Sequence, residues 1–326
     1  MNKLIGNTPM IKIKYKYNDK IKYIYAKLEY YNLTGSIKDR MAYYIINKAK
    51  LNNLLKDNMS IIEATSGNTG ISLAALGAYY KHPVYIFMPD WTSEERVKLM
   101  KMYGANVKLF SKEEGGFKRC IEEAQKLSKE INGFLTNQFS NQINILAHYD
   151  TTGKEIVDKI DKIDGFASGI GTGGTLMGVA KRLKENNPNI YITALEPDKM
   201  AIMSGGEMIG HKIEGIGDDF IPDIVDRGLI DKIYLINDDD AINMSKKLAL
   251  DLGIGVGISS GCNFIGAILL NEDINGNIVT VFPDDNKKYL STDLSNKIND
   301  NTCMISNNVE LIDYEILWLW NIMLNY

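Results

Sequence analysis

The chain is poor in the residues that build metal centres and disulfide frameworks: 326 residues contain three cysteines and three histidines. Cys120, Cys262 and Cys303 are odd in number and far apart, which suits reduced thiols and gives neither a disulfide framework nor zinc spacing. His82, His148 and His211 are equally scattered, so no metal site is expected. Positive charge is not in excess either. Lys and Arg number 37 against 41 Asp and Glu, a net charge of −4 with the basic residues dispersed, which excludes nucleic acid as the main partner. The start shows no basic stretch followed by an apolar run, and no apolar run reaches membrane-spanning length. A cytoplasmic protein without membrane attachment is expected. The nearest thing to a long apolar run, residues 316–324, is too short to span and reads as a docking helix, with a subunit contact as the second option.

What is present is alternation. Residues 11–15 and 22–28 alternate apolar and polar side chains, as half-buried strands do. Strands are then predicted at 60–64, 84–88, 106–110 and 133–136, separated by helices at 69–80, 93–102 and 117–131. A second series places strands at 165–168, 190–195, 232–236 and 277–282, with helices at 148–160, 174–185 and 241–252. Such alternation implies right-handed crossovers and mostly parallel sheets covered on both faces. The expected fold is α/β with two lobes, each a mostly parallel twisted sheet flanked by helices, and a boundary near residues 139–144. Ligand sites in this class lie beyond the carboxyl ends of strands, which singles out the loops after Ala64 and Ser168.

The first of these loops, Thr65-Ser66-Gly67-Asn68-Thr69-Gly70, sets hydroxyls, an amide and backbone N–H groups at the positive end of a helix. That suits a small anion such as a carboxylate, although Ser and Thr also cap helices without binding anything. The second, Gly169-Ile170-Gly171-Thr172-Gly173-Gly174-Thr175, lets backbone approach a phosphate closely. Gly169, Gly171 and Gly174 match the dinucleotide fingerprint G-x-G-x-x-G, and Glu196 falls where a ribose-binding acid belongs. Alone, this loop favours a nicotinamide-dependent oxidoreductase. That reading leaves Thr65–Gly70 without a purpose. It also ignores Lys38, which opens a helix directly after Thr34-Gly35-Ser36. By local pattern Lys38 is a solvated lysine at a helix start, Gly257–Gly261 a turn or cap, and Asp218-Asp219 a solvated turn within the flexible stretch 215–222.

Taken together, the motifs resemble the cysteine synthase and cystathionine β-synthase family of pyridoxal-phosphate enzymes, of fold type II. The resemblance runs through Ile5-Gly6-Asn7-Thr8-Pro9, Gly35-Ser36-Ile37-Lys38-Asp39-Arg40, Thr65–Gly70, Gln138-Phe139-Ser140-Asn141, Thr151-Thr152-Gly153, Gly171–Thr175, Gly215-Ile216-Gly217 and Ser259-Ser260-Gly261. It implies a smaller lobe of residues 36–143 carrying the substrate-carboxylate loop, and a larger, cofactor-phosphate-binding lobe of residues 1–35 plus 144–326. It implies pyridoxal 5′-phosphate as cofactor, with Lys38 as the Schiff-base lysine and Gly171, Thr172, Gly173, Gly174 and Thr175 as the phosphate cup. Asn68 would meet the ring hydroxyl and Ser259 the pyridine nitrogen, while Thr65, Ser66, Asn68, Thr69 and Gln138 would hold the substrate carboxylate. Glu196 then becomes an ordinary strand-end residue. The implied chemistry is β-replacement on a small amino acid through an aminoacrylate, and the implied assembly is a homodimer. A catalytically silent relative of the same fold is disfavoured by the intact Lys38.

Departures from the family pattern bear on the substrate. Asp218-Asp219 follows Gly-Ile-Gly where cysteine synthases have small residues and cystathionine β-synthases keep one Asp. Pro283-Asp284-Asp285-Asn286-Lys287-Lys288-Tyr289 replaces a Ser-Ser-Gly-Glu-Arg type sequence, and Met88–Ser93 carries Trp91 and Thr92 where Thr and Met are usual. Neither a haem-binding extension nor a regulatory module is expected. A carboxylate near Cβ does little for acetate departure or hydrosulfide attack, but it can activate water or protonate a departing hydroxyl. Asp218 and Asp219 are therefore candidate catalytic residues. The expected reaction is L-cysteine plus water giving L-serine plus hydrogen sulfide, or its reverse. Cysteine synthesis from O-acetylserine and sulfide, or a cystathionine-forming condensation, is the plainer alternative.

Overall fold

The computed structural model describes residues 2–206, 208–297 and 303–317. Its strands are β1 (Met10–Tyr17), β2 (Lys20–Leu28), β3 (Ile61–Ala64), β4 (Val84–Pro89), β5 (Asn106–Phe110), β6 (Phe134–Leu135), β7 (Gly165–Gly169), β8 (Tyr191–Pro197), β9 (Lys232–Ile236), β10 (Ile278–Phe282) and β11 (Glu310–Leu317). Among the described residues they form two sheets, in the orders β11-β1-β2-β10-β7-β8-β9 and β5-β4-β3-β6. The four-stranded sheet is parallel throughout, and the larger one is parallel from β2 through β10 to β9. The α/β architecture expected from the alternation is the one observed.

Local chemistry accounts for the elements. In β1, Ile11, Ile13 and Tyr15 are buried while Lys12 and Lys14 are half-buried, so the period of two sends one face to the core. Tyr17 pairs with Lys20 across Asn18 and Asp19, both with φ near +50°, the conformation of a tight two-residue hairpin turn. β3 and β10 are buried along their whole length, as strands covered on both faces must be. Two apolar cores pack the faces of the larger sheet, and a third lies against the smaller one.

Two expectations are corrected. The single helix predicted over 148–160 is a composite: Gln142–Ala147 is α-helical, His148–Gly153 a π-turn and Lys154–Val157 α-helical again. Gly178 brings the helix Gly174–Asn186 so close that a Cβ there would meet the Ile145 carbonyl at 2.5 Å, and the buried His148 ring bonds Thr152 Oγ1 at 2.9 Å. The widened turn accommodates both. At the C-terminal end, Ile316 and Leu317 belong to β11, which pairs antiparallel with β1 and covers its edge, rather than to a helix. The rest of the predicted docking helix, residues 318–324, lies outside the described residues.

The helix Lys38–Leu51 is held at its start from two sides. Ile37 donates its N–H to the Pro283 carbonyl at 2.8 Å, and Ser36 bridges Asp284. One turn on, Arg40 is fully buried. Its guanidinium donates to both Glu29 oxygens at 2.6 and 2.9 Å and both Glu155 oxygens at 2.6 and 2.8 Å, while Lys27 reaches Glu155 at 2.6 Å. Burial works to raise the Glu155 carboxyl, but the hydrogen bonds and charge of Arg40 and Lys27 overcome it and hold its pKa at about 2. Arg40→Met leaves two buried carboxylates with Lys27 as their remaining cation, and is expected to cost roughly 3–5 kcal/mol of stability. A carboxyl depressed in the folded state contributes stability above its ordinary value of 4.5 and loses it as pH falls towards 2. Urea unfolding of wild type should therefore weaken across that window, and the variant should lose the Glu155 part of this slope.

Candidate active site

Three helix N-termini converge on one cleft. It is lined from the ends of β3, β7 and β10, from the Lys38 helix start and from the stretch around Gly215. The loop after β3 opens the helix Asn68–Tyr80, the loop after β7 opens Gly174–Asn186, and Gly257 opens Ile258–Ile274. Their unpaired N–H groups and dipoles make the cleft a site for anions.

Lys38, Thr65, Ser66, Asn68, Thr69, Gln138, Gly171, Thr172, Gly173, Thr175, Asp218 and Ser259 all line it, although they lie far apart in the chain. Gly174 sits just behind the lining, where a Cβ would meet Asn144 Oδ1 at 2.0 Å. Asp219 is exposed and stands outside the lining, so the pair of candidate carboxylates narrows to Asp218.

The loop after β3 is pre-organised. Gly67 donates its N–H to Thr65 Oγ1 at 3.0 Å, Thr69 Oγ1 donates to Gln138 Oε1 at 2.6 Å, and Gln138 Nε2 donates to the Ala64 carbonyl at 2.8 Å. Behind it, Glu63 accepts from Ala64, Thr136 and the Gln138 backbone; burial nonetheless pushes its carboxyl up to about 7. The loop after β7 is fixed by Asn144, which donates to Thr172 Oγ1 at 3.0 Å, and by Asn263, which accepts the Gly169 N–H at 2.8 Å. Gly173 has φ +86°, and a Cβ at Gly171 would meet the Gly215 carbonyl at 2.4 Å. No side chain other than hydrogen fits between those two backbones. Gly171→Ala is expected to weaken cofactor binding roughly tenfold or more, about 1.4 kcal/mol, in a spectral titration of pyridoxal phosphate. The dinucleotide reading of this loop fails on its acid: Glu196 accepts from the Met203 and Ser204 N–H groups and from Ser204 Oγ, and caps a turn.

Electrostatically the cleft is a buried amine facing carboxylates. Burial lowers the Lys38 pKa, against the opposing charges of Asp284 and Asp218. The Asp218 carboxyl is pushed up to about 7 by burial first and by Asp219 second, with Lys38 opposing. His211, unremarkable in the sequence, sets the approach to Asp218: its Nδ1 accepts from Ile213 N–H at 3.2 Å and its Nε2 donates to the Gly217 carbonyl at 2.8 Å. Arg96 was also not foreseen. It is buried, donates to Glu214, and donates to Tyr289 Oη at 2.7 Å. Among Glu94, Glu95, Lys98 and Lys101 of the same helix it gives no local sign of pointing inward.

The residues fit a pyridoxal-phosphate group: a glycine cradle that a Cβ would fill at a helix N-terminus suited to its phosphate, a desolvated lysine, and Asn68 Oδ1, buried and unpartnered within the lining. Comparison with known proteins agrees. Residues 1–284 match the family described as pyridoxal-phosphate dependent enzyme, and the chain belongs to it. Within that class it is an enzyme of the cysteine synthase family. It is 40% identical over 298 residues to the cysteine synthase of Staphylococcus aureus, covering 90% of this chain and 96% of that one. It is also similar to a hydrogen sulfide-producing enzyme from Fusobacterium nucleatum, at 47% identity and a TM-score of 0.94 over 98% of both chains. A structure of an aspartate-to-asparagine variant of that enzyme, complexed with an α-aminoacrylate intermediate, matches at the same TM-score and identity over 97% of both chains. Among the described residues, no helix is long and apolar enough to cross a membrane, and no group of three or more His, Cys, Asp or Glu is placed to hold a metal ion.

Proposed function

We propose that the enzyme exchanges the sulfhydryl of L-cysteine for the hydroxyl of water, releasing hydrogen sulfide and L-serine. The observation that carries this reading is Asp218, a carboxyl in the cleft with Lys38 whose pKa of about 7 leaves it able to take a proton near neutrality. In this reading Lys38 would hold the cofactor covalently, Gly171, Thr172, Gly173, Gly174 and Thr175 would surround its phosphate, Ser259 would meet its pyridine nitrogen and Asn68 its ring hydroxyl. Thr65, Ser66, Asn68, Thr69 and Gln138 hold the substrate carboxylate. When bound, the cofactor supplies the electron sink that acidifies the α-C–H and lets the β-substituent leave.

The chain's own groups do the rest. Lys38, its pKa lowered by burial, removes the α-proton and returns it to Cα once the new bond at Cβ has formed. Ser259 offers the pyridine nitrogen a neutral partner, which keeps the sink weak and disfavours transamination. Asp218 takes a proton from water as its oxygen bonds to Cβ. Residues 36–143, carrying the carboxylate loop, act as a smaller lobe that closes on bound substrate and regulates the entry of water.

The similar hydrogen sulfide-producing enzyme supports this direction, and the similar cysteine synthase supports the plainer synthesis from O-acetylserine and sulfide. Incubation with cysteine in ¹⁸O-labelled water, followed by mass spectrometry, separates the two. Labelled serine and sulfide in equal amounts are expected. No serine from cysteine, with rapid cysteine formation from O-acetylserine and sulfide, overturns the reading. A homodimer is part of the same proposal. The groove lined by Leu4, Tyr31 and Ile316, all exposed, offers apolar surface for a second copy, and light scattering should return twice the chain mass of 36.6 kDa.

A further inference from the structure

The stretch Pro283–Tyr289, which departs from the family pattern, puts a carboxylate in the interior. Asp284 follows β10, is fully buried, and accepts on one oxygen, Oδ2, from Asn68 Nδ2 at 2.7 Å and from Tyr289 Oη at 2.6 Å. Arg96 stands 4.0 Å from the same oxygen and stacks over the Tyr289 ring at 4.7 Å. The second oxygen, Oδ1, has no partner and lies over Gly257, where a Cβ would come within 2.1 Å. The backbone around Asp284 is equally committed. Its carbonyl accepts the Gly257 N–H at 3.0 Å, and the residue bridges Ser36.

These bonds join segments that carry different parts of the site. Asn68 belongs to the four-stranded unit and begins the helix of the carboxylate loop, whereas Asp284, Ser36 and Gly257 sit beside Lys38 and Ser259. Holding one Nδ2 hydrogen of Asn68 leaves its buried, unpartnered Oδ1 turned away from Asp284. An asparagine without that contact rotates freely about its last torsion and presents either end of its amide. A serine at 284, as the family pattern has nearby, is too short to reach both Asn68 and Tyr289.

We propose that Asp284 is a positioning residue that orients the Asn68 amide towards the cofactor ring hydroxyl and ties the start of the carboxylate-loop helix to the Lys38 side of the cleft. This rests on the reading of Asn68 as the ring-hydroxyl contact, but not on which nucleophile the enzyme uses. It is a matter of shape and hydrogen bonding rather than charge. Both donors fall on Oδ2, so an asparagine at 284 can accept them with its carbonyl oxygen and place its NH₂ where Oδ1 now has no partner.

The test uses holoenzyme and two readouts, the visible absorption and fluorescence of the bound cofactor and the midpoint of the spectral change on titration with amino acid. Asp284→Ser is expected to shift the cofactor band and raise the midpoint about tenfold, while Asp284→Asn keeps the wild-type band and a midpoint within about twofold. In an Asn68→Ala background, Asp284→Ser should shift the band no further. If Asp284→Ser does not yield folded holoenzyme, Asp284→Glu carries the same expectation, since its added methylene displaces the oxygen from Asn68. An unshifted band and midpoint in the serine or glutamate variant overturns the proposal, and so does an asparagine variant as impaired as serine, which would make charge the agent. An Asn68→Ala protein with an unchanged band identifies a different failure, that of the Asn68 assignment itself.

Discussion

Lys38→Ala is expected to abolish turnover of cysteine, serine and O-acetylserine, with rates falling by more than about 10⁴. The variant should also lack the visible absorption that borohydride bleaches in the wild type. Two losses combine. A general base contributes roughly 10² to 10⁴ in rate, and without the imine the cofactor is neither pre-activated for exchange nor covalently retained. The proposed phosphate cup consists of backbone and of Thr172 and Thr175, none of which the substitution touches, so the variant should still bind pyridoxal phosphate reversibly, detectable by dialysis and absorbance. Adding a primary amine with the substrate should restore a small fraction of activity, because a free amine can supply a proton acceptor but not its placement. Turnover near the wild-type rate would remove Lys38 from the chemistry and, with it, the assignment of the cleft. The helix start itself depends on Ile37 and Ser36, so the cofactor-free variant should melt within a few degrees of wild type.

The parts of this site that were legible in the sequence are those written as contiguous loops. Thr65–Gly70 and Gly169–Thr175 each join a strand to a helix, and chain order alone says which end of the strand they occupy. Glycines at 171 and 174 announced close approach, and the structure shows what approaches: the Gly215 carbonyl and the Asn144 side chain. Strand alternation likewise foretold both sheets, because the two-residue period of β1 and the apolar run of β10, broken only by Thr280, are local facts. The rest was not local. Arg96 reads as a surface residue until the fold sets it against Tyr289, which is 193 positions away. His211 is one of three scattered histidines until Ile213 and Gly217 close around its ring. The π-turn at His148–Gly153 arises because another helix packs against it at Gly178, and no periodicity in residues 148–160 reports that. Ile316 and Leu317 misled for a related reason. Two apolar residues in sequence are compatible with helix or strand, and the open edge of β1 decided for strand.

Asp218→Asn separates the two halves of the proposed exchange. The substitution keeps size and removes the proton acceptor, so bond breaking at Cβ should proceed while addition of water stalls. A rapid-mixing experiment with cysteine should show one sulfide released per active site, followed by serine formation slowed by roughly 10² to 10⁴. Hydrosulfide needs no base, so the stalled variant should still incorporate labelled sulfide into cysteine at a rate near that of wild type. The pH profile carries the same information. In the proposed exchange Asp218 acts on water as a carboxylate, and its pKa is raised from 3.8 to about 7. Wild-type serine formation should therefore rise as pH increases through about 7, and the variant should lack this limb. Asp219, exposed and outside the cleft, raises the Asp218 pKa by like charge. Asp219→Asn should move the limb to lower pH and leave serine formation intact above it, an outcome that a merely structural pair of aspartates would not produce. Sulfide and serine formed by Asp218→Asn at wild-type rates would return the cleft to the plainer synthase chemistry, in which no carboxylate is required beside Cβ.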